Sequence, residues 1–266
     1  MSQATLNGPQ DFEGKVAIVT GGTRGLGKVM VEQLLARGCQ VATCGRSAPE
    51  SPISVEGRQA MFHACDVRDS DQVKDFVDAA AADFGRLDFI VNNAGGSPPS
   101  DAATASPRFA QAILGLNLLA PLFMSQAAYP HLKTSAGAIV NIASVSGQRA
   151  SPGTAVYGAA KAGLLSLTKS LAQEWGPDIR VNSVVVGLVE TEATAETYGE
   201  SEAQRKIAQS LPLKRLGDGV DIANAVAFLL SSAASYVSGA ALEVHGGGER
   251  PLFLEILEQA AKTADA

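Results

Sequence analysis

Seven short apolar runs, each separated from the next by a longer stretch, mostly of helical character, limit this chain's possible folds more than any other feature. They are KVAIVT (15–20), QVATCG (40–45), AMFHAC (60–65), LDFIVN (87–92), GAIVNIAS (137–144), RVNSVVV (180–186) and AALEV (240–244). Alternation of this kind is the signature of βαβ units, which assemble a parallel sheet with helices on both faces and right-handed crossovers. The expected fold class is α/β: one doubly wound parallel sheet of about seven strands. A length of 266 residues at 46% hydrophobic content fits one such unit. No internal repeat, low-complexity tract or linker divides it. Residues 14–248 are the expected domain, after a flexible polar tail (1–13) and before an extension (249–266). Two segments read as irregular: 95–107, and 188–211, the expected substrate lid.

Several function classes drop out on composition. A net charge of −6 and a pI near 5.1 leave no basic footprint for nucleic acid. Cys39, Cys44 and Cys65 are odd in number and lack CxxC spacing, so they read as reduced packing residues suited to the cytoplasm. The N-terminal residues include no apolar signal region. His63, His131 and His245 have no metal-ligand spacing, and no metal is expected. The uncharged stretch from Phe109 to Pro130 is long enough to span a bilayer, yet it carries Gln111, Asn117, Ser125 and Gln126 as well as Gly115 and Pro121. It reads as a buried or subunit-facing helix, and no membrane partner is expected.

The unusual residues fall on one edge of the expected sheet. Gly21 to Gly27 follow the first run, Arg46 the second, Asp66 the third and Asn92 to Gly95 the fourth; Ser144 ends the fifth and Gly187 follows the sixth. The carboxyl edge of an open parallel sheet is where ligands bind. Gly21, Gly22, Thr23, Arg24, Gly25, Leu26 and Gly27 leave a strand and open a helix, whose free N–H groups suit a pyrophosphate. Their spacing is not GxGxxG, and a glycine-rich turn alone can be simply a tight turn. Where an NAD site offers a carboxylate to the adenosine ribose, this chain has Arg46, with Arg24 able to reach the same region. Two guanidiniums and no carboxylate favour NADP(H) over NAD(H), although either Arg can equally be a solvated surface residue.

At the other end, Pro152 and Gly153 close a loop, Thr154 is the expected N-cap, and Gly176 with Pro177 stop a helix. Tyr157 then lies in the first turn with Lys161 one turn on, on the same side. Ser144, at the end of its strand, can fold back beside the phenol. Lowering a phenol pKa from ~10 to ~7 takes about 4 kcal/mol. Two charges ~4 Å apart at an effective dielectric of ~20 interact by about as much, so Lys161 is nearly sufficient. Such a Tyr could move the proton of an alcohol while hydride moves to or from a cofactor. The competing reading is an exposed Tyr and Lys on an ordinary helix.

TGGTRGLG (20–27), NNAG (92–95), Asn117, Ser144, YGAAK (157–161) and the strand before HGG (245–247) together resemble the short-chain dehydrogenase/reductase family in its compact, single-domain branch, over about residues 14–248. The resemblance implies a Rossmann-type fold and an oxidoreductase. It makes Tyr157 the general acid/base, and gives Lys161 the lowering of its pKa and a grip on the nicotinamide ribose. Ser144 would orient the substrate carbonyl, and Asn117 would support a water-linked proton relay. Asp66 and the Val67 backbone would hold the adenine, while Asn92, Ala94 and Gly95 would shape the ribose floor. Gly187, the Val189 backbone and Thr191 would meet the nicotinamide end. Asn117 could instead be a satisfied polar group, and Asp66 a helix starter. Val186 stands where the family usually has Pro, which removes a fixed φ, restores an N–H and puts the rigidity of that turn in doubt.

Gly158, Ala162, Ser166 and Ser170 leave a shallow ridge along the Tyr157 helix, suited to a subunit contact and, with the family's habit, to a homotetramer or dimer; the alternative is packing within one chain. Arg149 could meet an anionic substrate or be solvated. The reading favoured is an NADP(H)-dependent oxidoreductase acting on a small-molecule carbonyl or alcohol, with a 3-oxoacyl thioester as one specific substrate class. Two others compete: a catalytically silent nucleotide-binding regulatory protein, and a cofactor-independent enzyme such as a dehalogenase.

Overall fold

The computed structural model describes residues 12–192, 194–254, 256–257 and 260. Its strands are β1 (Val16–Thr20), β2 (Gln40–Gly45), β3 (Ser54–Val55), β4 (Arg58–Gln59), β5 (Met61–Ala64), β6 (Phe89–Asn92), β7 (Ala138–Ser144), β8 (Arg180–Val186) and β9 (Ala241–Val244). Seven of them form one sheet in the order β5-β2-β1-β6-β7-β8-β9, every pair parallel. The central strands are buried on both faces, which is why they appear in the sequence as unbroken apolar runs rather than alternating ones. β3 and β4 form a separate small hairpin with no counterpart among the seven runs.

The helices are α1 (Gly25–Ala36), α2 (Ser70–Phe84), α3 (Pro107–Leu114), α4 (Ala120–Ser135), α5 (Ala155–Trp175), α6 (Thr194–Tyr198), α7 (Ser201–Ser210) and α8 (Gly219–Leu230). Met30, Val31 and Leu34 of α1 and Ile222 and Val226 of α8 bury one face of the sheet. Val73 and Phe76 of α2, Met124, Ala128 and Leu132 of α4, and Leu171 of α5 bury the other. Cys39, Cys44 and Cys65 are buried and free. The order in which strands are added reverses between β1 and β6, so their carboxyl ends open the crevice expected of a doubly wound sheet.

Several expectations need correction. Phe12 is only 1% exposed and packs edge-on against Phe89, so the ordered domain begins before residue 14; residues 1–11 lie outside the described residues. Half of the 249–266 extension lies outside them too. The 188–211 region carries α6 and α7 rather than irregular chain. Thr154 stands at the N-cap of α5 without capping it, because its hydroxyl pairs with Ser151 Oγ at 2.6 Å. Asp66 does not start α2, since Asp69 accepts from Asp71 N and Gln72 N at 3.0 and 3.2 Å. The uncharged stretch is not one uniform helix: a π-helical turn, Gly115–Leu119, joins α3 to α4. By length and composition Pro107–Ser135 could cross a bilayer, but Ala120, Met124, Ala128 and Leu132 line one face four residues apart and are buried in the core.

Candidate active site

The glycine turn after β1 is braced by three polar side chains. Thr43 Oγ1 accepts from Gly22 N at 3.0 Å and donates to Val19 O at 2.8 Å. Thr20 Oγ1 accepts from the N–H groups of Asn93 and Ala94 at 3.0 and 2.9 Å. Asn93 Nδ2 donates back to Thr20 O and Gly21 O at 2.9 and 3.2 Å. A Cβ at Gly27 would lie 2.3 Å from Gly21 O, and one at Gly22 2.3 Å from Thr43 Oγ1, so these glycines are required by the turn's own packing. Gly25 differs: its φ is +53°, and the nearest atom to an added Cβ is Glu192 Oε2 at 3.6 Å. It begins α1, and its N–H donates to Glu192 Oε1 at 3.3 Å, a carboxylate at the helix N-terminus where an anion is favoured. Thr23, Arg24 and Leu26 complete the turn. Arg24 and Arg46 are exposed, and the charge of Arg46 reaches Asp66.

Asp66 and Asn92, expected at the adenosine, have partners within the chain. Arg68 grips the Asp66 carboxylate from two sides, Nε to Oδ1 at 2.9 Å and Nη2 to Oδ2 at 2.5 Å, which holds that carboxyl below its usual range. The Asp66 N–H is also used, by Gln72 Oε1 at 3.0 Å. Val67 is buried in the core. Asn92 points away from the edge: its Nδ2 donates to Asn141 Oδ1 at 2.8 Å, Ser125 Oγ at 3.1 Å and Pro121 O at 3.3 Å. Ala94 and Gly95 do lie on the edge, and Asn93 is the side chain that shapes it.

At the chemical end, β7 delivers Ser144 and the first turn of α5 delivers Tyr157. The Ser144 hydroxyl hydrogen-bonds the phenol, and Ser144 Oγ accepts from Ser146 N at 3.2 Å. Lys161 is 3% exposed; its Nζ donates to Ile142 O at 2.7 Å and lies 5.6 Å from the centroid of the Tyr157 ring. Gly147 lets the loop after Ser144 lie on α5, since a Cβ there would fall 2.7 Å from the Lys161 carbonyl carbon. Asn117, fully buried on the π turn, donates from Nδ2 to Ile113 O and Gly96 O at 3.0 Å each and accepts from Gly96 N at 2.9 Å. A Cβ at Gly95 would lie 2.8 Å from Asn117 Oδ1 and 3.2 Å from Lys161 Nζ, so Asn117, Lys161 and the post-β6 loop meet at one point. The Tyr–Lys pair is therefore built into the interior, not displayed on a helix surface.

The electrostatics differ from the expectation. Burial raises the Tyr157 pKa; the Ser144 hydrogen bond acts the other way and does not overcome it, while nearby Tyr198 adds to the rise. Burial alone brings Lys161 from 10.5 to about 8. The ammonium faces a carbonyl rather than the phenol oxygen, so in this geometry Lys161 does not bring the phenol toward neutrality.

The turn after β8 is firmer than the missing proline suggests. Val186 pairs with Ser144 on one side and Val244 on the other, and the Gly187 N–H donates to Val244 O at 3.1 Å. Val189 is buried and bridges to Gly217. The Thr191 N–H is taken by Thr194 Oγ1 at 2.6 Å. Arg149 is exposed to solvent and ion-paired there with Glu249 at 2.5 Å. A cavity of about 160 Å³ lies between the Val145–Arg149 loop and Gly187–Leu188, beside Ser144. A larger one of about 450 Å³, lined by Leu213, Arg215, Ile222 and Val244 among others, touches none of Asn117, Ser144, Tyr157 or Lys161. No metal-binding cluster occurs among the described residues.

Comparisons with known proteins establish the family. The sequence profile described as Enoyl-(Acyl carrier protein) reductase matches residues 21–249. A tropinone reductase homolog of Arabidopsis thaliana is 35% identical over 89% of this chain and 91% of its own length. The ligand-free aldohexose dehydrogenase of Thermoplasma acidophilum superposes with a TM-score of 0.84 at 29% identity, over 90% of this chain and 96% of that one. A double mutant of a Serratia marcescens short-chain dehydrogenase/reductase does so with a TM-score of 0.82 at 31% identity, over 90% and 98%. The chain belongs to the short-chain dehydrogenase/reductase family of oxidoreductases, which bind nicotinamide cofactors and act on small molecules.

Proposed function

We propose that the protein is an NADP(H)-dependent oxidoreductase that moves hydride between the nicotinamide and a carbonyl or secondary alcohol, with Tyr157 as general acid/base. The observation that carries this reading is a linked set of side chains, Ser144 beside Tyr157, Tyr157 beside Lys161, and Lys161 with Asn117 at Gly95, on the same sheet edge as the N-terminus of α1. The residues fit such a cofactor: Gly25 brings a backbone N–H to the start of α1, where the exposed Glu192 carboxylate now meets it, and a Cβ at Gly95 would crowd Lys161 and Asn117. The cofactor supplies hydride chemistry; everything else falls to the chain. Ser144 orients the carbonyl oxygen and Tyr157 gives or takes its proton. Lys161 supplies positive charge beneath the pair, and Asn117 holds the loop at Gly96.

Names among the relatives diverge across a tropane ketone, an enoyl thioester and an aldohexose, so the substrate is sought by assay. NADPH oxidation should appear with at least one member of a panel of ketones, diketones, quinones and 3-oxoacyl thioesters; silence across the panel, with NADPH bound, would favour a regulatory protein. Arg46 and Arg24 support the NADP preference. Arg46→Asp should move the NADPH/NADH ratio of kcat/KM by about 10- to 100-fold toward NADH, the worth of one charged hydrogen bond. An unchanged ratio would remove Arg46 from phosphate recognition.

A homotetramer or dimer joined through α5 completes the proposal. Ala162, Ser166 and Ser170 are exposed in the single chain, whereas Gly158 is not, packing against Ser146 O instead. Light scattering on the eluted protein should give a multiple of the 27.3 kDa chain mass. A stable monomer would rule the contact out.

A further inference from the structure

The segment between Glu192 and Tyr198 reaches both ends of the cofactor cleft. At the phosphate end, Glu192 Oε1 accepts from Gly25 N at 3.3 Å, and its Oε2 is the atom nearest to an added Gly25 Cβ. The first turn of α1 contains no acidic residue, and Arg24 at its N-cap makes no side-chain cap bond. The carboxylate that meets the helix terminus comes from 167 residues away. At the nicotinamide end, half-buried Tyr198 accepts a hydrogen bond from the Val189 N–H and stands close enough to Tyr157 to oppose its ionisation. The two contacts are made by opposite ends of one short piece of chain: Thr191 and Thr194 close its first turn through paired 2.6 Å bonds, and α6 carries it to Tyr198.

We propose that Glu192 and Tyr198 form an internal plug that occupies the dinucleotide's own contacts, a carboxylate at Gly25 for the pyrophosphate and a phenol at Val189 for the carboxamide, so that cofactor entry displaces α6. This rests on the reading that the cleft takes a nicotinamide dinucleotide. One N–H cannot serve carboxylate and phosphate at once, and a ligand needing the plug's place binds more weakly by the fraction of molecules in which the plug is seated. Opening of the substrate lid and loading of the cofactor thereby become one event, since α6 and α7 lie within the same segment.

Calorimetric titration of the full chain with NADPH, NADH and ADP-ribose tests this without turnover. Glu192→Gln should tighten both dinucleotides and ADP-ribose by about two- to fivefold, the worth of a carboxylate at a helix N-terminus. Glu192→Asp retains the charge but shortens the reach, and should tighten them as well. Tyr198→Phe should tighten the dinucleotides and leave ADP-ribose, which has no carboxamide, unchanged. Tightening by Gln without Asp would mean general charge repulsion and overturn the plug. So would unchanged or weaker binding in Glu192→Gln with a lowered melting temperature, the mark of a purely structural cap. Failure of wild type and all variants to bind any of the three ligands would instead remove the cofactor reading itself.

Discussion

Replacing Tyr157 by Phe should lower kcat by about 10²–10⁴-fold, the usual contribution of a positioned general acid/base, while leaving the dissociation constant for NADPH within about twofold. The ring stays, so the packing of α5 on the Ser144 loop survives; what goes is the hydroxyl and its bond to Ser144. Stability should fall by only about 1 kcal/mol, the worth of one hydrogen bond. The raised phenol pKa adds a directional signature. A hydroxyl that holds its proton through neutral pH is ready to give it to a carbonyl, so reduction should run flat through neutrality and decline as the pH climbs past the phenol pKa. Oxidation needs the phenolate and should rise over the same range. Initial rates in both directions across a pH series provide the check; undiminished turnover in the Phe variant, or oxidation fastest in acid, would mean that another group carries the proton.

Parts of this site were legible in the sequence because each is written locally. The sheet is legible in seven apolar runs, the tight turn into α1 in glycines that follow the first, and the Tyr–Lys pair in its one-turn spacing. What escaped depends on partners distant in the chain. Thr43 and Asn93 brace the glycine turn from neighbouring strands, and nothing around either residue announces it. Nothing in the sequence around Asp66 shows that Arg68 folds onto its carboxylate. The Val186 substitution looked loosening because a missing proline is a local fact, whereas the strand pairing that fixes Val186 on both sides is not. The Tyr157 pKa departs from expectation for a related reason: helical spacing fixes where the Lys161 chain begins, while its ammonium turns toward Ile142 O.

That buried ammonium leads to the second large effect, on stability rather than rate. Burial takes the Lys161 pKa from 10.5 to about 8. At about 1.4 kcal/mol per pKa unit this is a cost of about 3 kcal/mol at neutral pH. Removing the amine also strands the Ile142 carbonyl, which returns about 1–2 kcal/mol. Lys161→Met should therefore abolish turnover yet stabilise the fold by about 1–2 kcal/mol at pH 7, a rise in melting temperature of roughly 2–8 °C. The pH dependence separates this from simple repacking. Because the folded chain binds this proton less tightly than the unfolded one, unfolding takes up a proton between pH 8 and 10.5. The wild-type penalty is then complete below pH 8 and fades as the pH rises through that window, so the Met variant's advantage should shrink toward pH 10 and reverse once only the lost hydrogen bond remains. Thermal unfolding of both proteins at pH 7 and pH 10 measures it. A Met variant less stable at pH 7, by a margin that does not change with pH, would show that the ammonium is held without strain and that its burial is no burden on the fold.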